Sequence, residues 1–111
     1  MNTKKFTGAE VRFYQIDNET VYAVSEEYEC GKITDREIYN VLAMTDAEVV
    51  ELVNAGGTYT ETDTPKVKLD WIKENGKEIA ISVILGAGYD SAVELQSCNT
   101  EIPKIKNAFE F

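Results

Sequence analysis

The chain has 111 residues, of which 43% are hydrophobic, 20 are acidic, 11 are basic and none is histidine, so its formal net charge is −9. This length and composition predict one globular domain spanning residues 1–111. The acidic balance argues against direct nucleic-acid binding, which needs a basic footprint, and against binding to an anionic membrane surface. It is compatible with simple solubility, with a basic protein partner, or with mimicry of a phosphate array.

The predicted location is the cytoplasm, because the sequence lacks the marks of a secreted or membrane-spanning chain. No apolar run approaches the roughly 18 residues that span a bilayer. The basic start at residues 1–5 is not followed by the apolar segment of a signal peptide. Cys30 and Cys98 are expected to be buried free thiols, since a disulfide between them would need an oxidising compartment.

An N-terminal β-hairpin is the first predicted element. Residues 10–16 alternate between the two sides of a strand, and residues 20–25 are rich in β-branched and aromatic side chains. Turn-forming residues at Asp17–Glu19 separate the two runs, so they are predicted to pair as antiparallel strands. The acidic stretch 26–29 is then expected at the surface, and Cys30–Gly31 ends the segment.

Two consecutive capping boxes predict two short helices. Thr34–Glu37 and Thr45–Glu48 each place a threonine three residues before a glutamate, so that each side chain can bond the other residue's backbone N–H. Apolar residues at helical spacing follow each box, and Asn54–Gly57 supplies a left-handed stop. The two helices are expected to meet at a corner near Met44.

A third helix and a buried strand are predicted next along the chain. Thr64–Pro65 supplies a capping threonine and a first-turn proline, and Asn75–Gly76 ends the helix. The stretch Glu78–Leu85 is apolar at nearly every position, which is typical of a strand covered on both faces. We therefore expect this strand at the centre of the sheet.

The C-terminal third of the chain leaves one alternative open. Residues 91–96 favour a strand, but Ser91–Glu94 also fits a capping box and therefore a short helix. Apolar side chains alternate over 105–111, which predicts a short edge strand and a docked C-terminus. The complete prediction is an α+β fold with an N-terminal β-hairpin and three short helices packed on one face of a small antiparallel sheet, completed by C-terminal strands.

The sequence predicts a protein without enzymatic activity, cofactor or metal. Without histidine, the usual general base, the histidine-dependent nucleophile systems and the commonest zinc ligand are missing. Two separated cysteines do not form a zinc site. The acidic cluster of Glu26, Glu27 and Glu29 leaves paired-carboxylate catalysis as the remaining enzymatic option. A solvated acidic edge is the preferred interpretation, because a domain of this size has little room for a cleft.

The candidate binding residues lie on the hairpin, the first predicted helix and two glycine-containing loops. The loop at 86–90 follows an apolar strand, as a phosphate loop would, but it lacks the third glycine of a dinucleotide site and the lysine of a P-loop; a simple turn is the alternative. A tyrosine beside glycines can stack on a ring, and an arginine can bind an anion or form a surface ion pair. Tyr14 is expected on an exposed adhesive patch or at the rim of the core. The predicted ligand- or partner-binding set is Arg12, Tyr14, Arg36, Tyr59, Gly86, Gly88, Tyr89 and Asp90.

Two classes of function are compatible with these features. The first is a small acidic, non-catalytic binding protein that inhibits or antagonises a basic or nucleic-acid-handling protein partner, as phage and mobile-element proteins do. The alternative is a homo-oligomer that sequesters a small anionic, nucleotide-derived ligand between subunits, because one protomer of this size can hardly enclose a ligand. The net charge favours the first, since an anionic ligand would need a local basic pocket.

Overall fold

The computed structural model describes residues 7–57, 69–85 and 96–110. Its elements, in chain order, are β1 (Gly8–Asp17), β2 (Thr20–Glu29), β3 (Lys32–Asn40), a 3-10 turn (Val41–Ala43), α1 (Asp46–Ala55), α2 (Leu69–Asn75), β4 (Lys77–Leu85), β5 (Gln96–Cys98) and α3 (Pro103–Ala108). The five described strands form one antiparallel sheet in the order β3-β2-β1-β4-β5. The predicted α+β class is confirmed.

The predicted N-terminal hairpin is confirmed and is longer than the sequence indicated. β1 pairs with β2 from Gly8, opposite Tyr28, to Asp17, opposite Thr20. At the turn, the Asp17 carboxylate accepts a hydrogen bond from the Glu19 N–H at 2.8 Å, as aspartate commonly does in turns. The predicted apolar strand is confirmed as β4, an interior strand between β1 and β5, whereas the central strand of the sheet is β1.

The helix predicted from Thr34–Glu37 is wrong, because this segment lies inside β3 and pairs with β2. The chain reverses at Cys30 and Gly31, whose φ angles are +51° and +83°. Two successive left-handed residues form the tight hairpin turn that matches the twist of the flanking strands. Once this turn lays β3 beside β2, the backbone ladder replaces the helix, and the Thr34 hydroxyl donates to the Glu27 carbonyl at 3.3 Å.

The second capping box is confirmed at the start of α1. The Thr45 hydroxyl accepts from the Glu48 N–H at 3.2 Å, and the Glu48 carboxylate accepts from the Thr45 N–H at 2.8 Å. The helix ends at Gly56, whose φ of +76° is left-handed and whose N–H donates to the Leu52 carbonyl. A Cβ at Gly56 would lie 3.0 Å from the Ala9 Cβ, so a glycine here also lets α1 approach β1 closely.

The larger hydrophobic core lies between one face of the sheet and the helices α1 and α3; we call this the α1 face. Phe13 on β1, Leu52 on α1 and Ile105 on α3 are all fully buried in it. The rings of Phe13 and Phe109 meet edge to face, with their centroids 5.7 Å apart. The core therefore joins the first strand to the C-terminal segment.

The prediction that all three helices lie on one face is wrong. α2 covers the opposite face, here called the α2 face, where Ile72 is fully buried against Tyr14, Val24 and Ile38. Successive strand residues point to opposite faces, so β1 buries Phe13 on one face and Tyr14 on the other. Both faces of the central strand therefore need a helix above them.

The C-terminal segment is docked, as predicted, but the edge strand expected over 105–111 is wrong for the described residues up to 110. Residues 103–108 form α3 instead. Pro103 occupies the first turn, where a missing N–H costs nothing and the fixed φ suits a helix. The apolar positions Ile105, Ala108 and Phe109 then follow helical rather than strand spacing towards the core.

Two predictions fall on residues outside the described ranges. They are the helix start at Thr64–Pro65 and the strand-or-helix alternative for 91–95. Among described residues, the third predicted helix is present as α2, and β5 begins at Gln96.

Neither Cys30 nor Cys98 forms a disulfide, as predicted. Their expected burial is wrong for Cys30, which is exposed in the β2–β3 turn, whereas Cys98 is half-buried on β5. The turn needs a left-handed residue at this position, and a residue at the tip of a hairpin cannot reach the core.

Candidate functional site

A pocket of about 250 Å³ opens between the β2–β3 hairpin and the C-terminal end of α1. We call it the edge pocket, because β3 is an edge strand of the described sheet. Three of its lining residues are acidic, and a fourth is Arg36, whose guanidinium pairs with Glu26 on the α2 face. The lining residues are Ser25, Glu27, Asp35, Arg36, Glu37, Tyr39, Ala55, Gly56 and Gly57.

The three carboxylates of the edge pocket come from two paired strands. Glu27 on β2 lies opposite Asp35 on β3, and Glu37 follows two residues later. Because strand side chains alternate, all three lie on the α1 face of the sheet. All three residues are exposed, and none forms an ion pair with any described residue. Directly opposed like charges repel, so the Glu27–Asp35 pair destabilises the protein when no ligand or partner is bound.

The hydroxyl groups of the edge pocket are directed at protein acceptors. The Tyr39 hydroxyl donates to the Glu37 carboxylate at 2.6 Å. The Ser25 hydroxyl donates to the Gly56 carbonyl at 2.5 Å. These bonds leave carboxylate oxygens as the main polar groups open to a ligand.

The C-terminal end of α1 adds to the negative character of the edge pocket. Ala55 and Gly56 line the pocket at the end of the helix, where carbonyl groups lack helical partners. This end carries the negative pole of the helix dipole, and the last turn of α1 contains no basic side chain to offset it. The geometry and charge of the pocket thus suit a cationic ligand with N–H donors.

The two arginines predicted to bind anions are held by carboxylates on the α2 face. The Arg12 guanidinium lies 2.8 Å from Glu10 and 3.5 Å from Glu78, and the Arg36 guanidinium lies 2.8 Å from Glu26. Burial lowers the pKa of Arg12, but its hydrogen bond to Glu10 and the charges of Glu10 and Glu78 outweigh this effect and raise the pKa overall. Both arginines therefore form the ion pairs that were the alternative to a ligand site.

Tyr14 lies in the core of the α2 face, with only 6% of its surface exposed. It packs with Val24 and Ile72, and the partly buried Tyr22 lies opposite it on β2. Burial raises the pKa of Tyr14, and the negative charge of Glu78 raises it further. The structure thus places Tyr14 at the core, not on an exposed adhesive patch.

The structure separates the other predicted site residues. Arg36 lines the edge pocket, whereas Arg12 and Tyr14 lie on β1 and do not. The rest of the predicted set lies outside the described residues, and its role stays a prediction. These residues are Tyr59, Gly86, Gly88, Tyr89 and Asp90.

Most residues that line the edge pocket were not predicted from the sequence. Asp35 and Glu37 were assigned to a helix cap, which hid the alternation that puts them on one face with Tyr39. A signal was present: Cys30–Gly31 separates two runs of similar length and can form a two-residue hairpin turn. Glu27 was recognised as part of an acidic edge, but its partners on β3 were not.

Two further features are absent from the part of the chain that the structure describes. Cysteine, aspartate and glutamate side chains form no group of three or more that could hold a metal ion there. No described helix is long and apolar enough to cross a membrane.

No protein-family model matches the chain, and no curated protein or solved structure is significantly similar to it. The functional argument therefore depends on the residues and geometry of this chain.

Proposed function

We propose that this protein is a small, non-catalytic binding protein that recognises a basic protein partner through its β2–β3 hairpin and acts as an inhibitor or antagonist of that partner. One observation carries the proposal: three exposed carboxylates line the edge pocket without an ion pair to any described residue. Nucleic-acid-handling proteins are suitable partners, because they present the lysine and arginine side chains that bind phosphate.

The distribution of the basic residues supports this proposal. Arg12 and Arg36 are the only arginines, and carboxylates on the α2 face hold both. They therefore offset Glu10, Glu26 and Glu78 and leave the edge pocket negative. Charge complementarity of this kind increases the association rate and rejects acidic competitors.

The alternative, a homo-oligomer that sequesters a nucleotide-derived ligand, has weaker support. It needs a basic group for the anionic ligand, and both arginines already have carboxylate partners. Its glycine–tyrosine loops at 57–59 and 86–89 lie largely outside the described residues. No contact in the described part of the chain favours it over protein binding.

The proposal is tested by affinity capture from a lysate of the source organism with three forms of the protein. The first is the wild type. The pocket variant carries Glu27→Gln, Asp35→Asn and Glu37→Gln. The control variant carries Glu74→Gln, Glu101→Gln and Glu110→Gln, which remove the same charge from exposed positions elsewhere.

We expect the wild type and the control variant to retain the same basic protein, and the pocket variant to lose it. Retention should also fall when the ionic strength is raised, because exposed charges are screened. Equal retention by both variants would contradict the proposal, as would the absence of any retained protein. Once isolated, the partner's own activity should fall on addition of an equimolar amount of this protein.

A further inference from the structure

β3 presents one edge that no described strand occupies. It pairs with β2 on one side and ends the described sheet on the other. Residues 32–37 of this strand are all exposed. An edge strand carries a row of outward N–H and C=O groups that can pair with another chain.

The backbone at Arg36 shows which groups face outwards. The Arg36 N–H donates to the neighbouring Asp35 carboxylate at 2.9 Å and therefore is not directed at β2. Backbone groups of alternate residues in an antiparallel strand point to the same edge, so Ile38 presents its N–H and C=O on this side as well. A partner strand could pair with the outward groups of Ile38 and the Arg36 carbonyl, and it would replace the Asp35 carboxylate at the Arg36 N–H.

The edge pocket lies on the α1 face, beside this edge of β3 that no described strand occupies. Asp35 and Glu37 project from β3 into it, two residues apart, and the side chains of a neighbouring strand would lie about 4.5–5.5 Å from theirs at the Cβ atoms. Lysine or arginine side chains at alternate positions of an added strand would therefore meet both carboxylates. The pocket volume of about 250 Å³ leaves room for such a side chain.

Charge decides which kind of strand can be added. A second copy of this chain, pairing antiparallel about Arg36, would place its Glu37 opposite Asp35 and its Asp35 opposite Glu37. Directly opposed carboxylates are unfavourable, and charged edges of this kind are a common protection against self-association. The basic side chains of an added strand would instead be attracted to these carboxylates, and they would relieve the repulsion between Glu27 and Asp35.

We infer that β3 binds an extended basic segment of a protein partner as an added β-strand, with a lysine or arginine side chain of that segment in the edge pocket. This inference rests on the proposed function and specifies how the partner is recognised. Backbone hydrogen bonds along β3 supply affinity, and the acidic pocket supplies the preference for basic side chains, as in other complexes formed by strand addition.

The test uses a fluorescent, end-blocked eight-residue peptide of alternating arginine and valine, and fluorescence anisotropy as the measure of binding. Two further peptides carry N-methyl groups on all arginines or on all valines. N–H groups of alternate residues point to opposite edges of a strand, so each methylated peptide has one blocked edge. All three peptides carry the same charge.

We expect the parent peptide to bind the wild type and the control variant alike, and the pocket variant at least about tenfold more weakly, as loss of charged hydrogen bonds implies. One methylated peptide should lose binding to the wild type by about tenfold or more, because its methyl groups block several backbone hydrogen bonds at once. The other should bind like the parent. In NMR spectra, amide shifts should change at Arg36 and Ile38 and not along β5.

The contrary outcomes distinguish the two proposals. Equal binding of all three peptides would show recognition by charge alone, which overturns strand addition and leaves the proposed function intact. Loss of binding by both methylated peptides, or shifts centred on β5, also overturns strand addition at β3. Failure of the parent peptide to bind overturns it as well, and the lysate experiment then decides the proposed function separately.

Discussion

Ser25 and Ser82 attach the C-terminal end of α1 to the sheet. The Ser82 hydroxyl donates to the Val53 carbonyl at 2.6 Å, and the Ser25 hydroxyl donates to the Gly56 carbonyl at 2.5 Å. Both serines are buried beneath the helix. The last carbonyls of a helix have no helical partner, so a buried one needs another donor, which these two hydroxyl groups supply. This explains two polar side chains at strand positions that face the core.

We expect Ser82→Ala to lower the free energy of unfolding by about 1–3 kcal/mol, because it leaves a buried carbonyl without its donor. Urea denaturation measures the change. Ser97→Ala on β5 is the matched control, since this serine is exposed and its loss should change the free energy by no more than about 0.5 kcal/mol. Equal effects of the two substitutions would contradict the role assigned to the Ser82 hydroxyl.

At the scale of elements, one four-residue pattern leads to two different structures. Thr34–Glu37 lies in β3, whereas Thr45–Glu48 begins α1. The residues on either side make the difference. A left-handed turn at Cys30–Gly31 precedes the first pattern, and a single buried helical stripe at Val49, Leu52 and Val53 follows the second. A capping box contributes too little free energy to outweigh the backbone hydrogen bonds of a fully paired strand.

The same substitution at both threonines tests this contrast. Thr45→Val removes a working helix cap and should lower the free energy of unfolding by about 1 kcal/mol. Thr34→Val keeps a β-branched side chain in an exposed strand position and should change it by no more than about 0.5 kcal/mol. Chemical denaturation of both variants gives the comparison. A larger loss at Thr34 would indicate that residues 34–37 are helical after all.

At the scale of the whole molecule, the two ends of the described chain share one core. Ile105 on α3 is fully buried, and Phe109 contacts Phe13 on the central strand. The Lys104 ammonium donates to the Met44 carbonyl and thereby connects α3 to the segment before α1. Because β1 also pairs with both β2 and β4, the structure depends on contacts between segments distant in the sequence.

We expect Ile105→Ala to lower the free energy of unfolding by about 2–5 kcal/mol, because it opens a cavity in the shared core. Lys106→Ala, an exposed change in the same helix, should cost no more than about 0.5 kcal/mol. Unfolding followed by far-UV circular dichroism and by the fluorescence of Trp71 should give one coincident transition. Two separate transitions would show that α3 and the α2 face do not unfold together.

Sequence alone determined the elements whose signals are local. The alternation of β1 and β2, the capping box at Thr45, the left-handed stop at Gly56 and the apolar run of β4 depend on near neighbours in the chain. Turn chemistry and hydrophobic periodicity act over that same range, so these predictions are confirmed. The acidic character of residues 26–29 was also visible, but only Glu27 lines the candidate site. The expectation that the whole stretch lies at the surface is wrong for Glu26, which is buried on the α2 face in an ion pair with Arg36.

Only the tertiary structure decided the strand state of β3, the helical state of 103–108 and the faces that the helices cover. Each depends on which partner lies alongside, because a short segment such as Thr34–Glu37 satisfies more than one local rule. The edge pocket has the same origin: Ser25 and Gly56 meet only after β2 and α1 have packed. A hydrogen bond across 31 positions of the chain leaves no local pattern from which it could have been predicted.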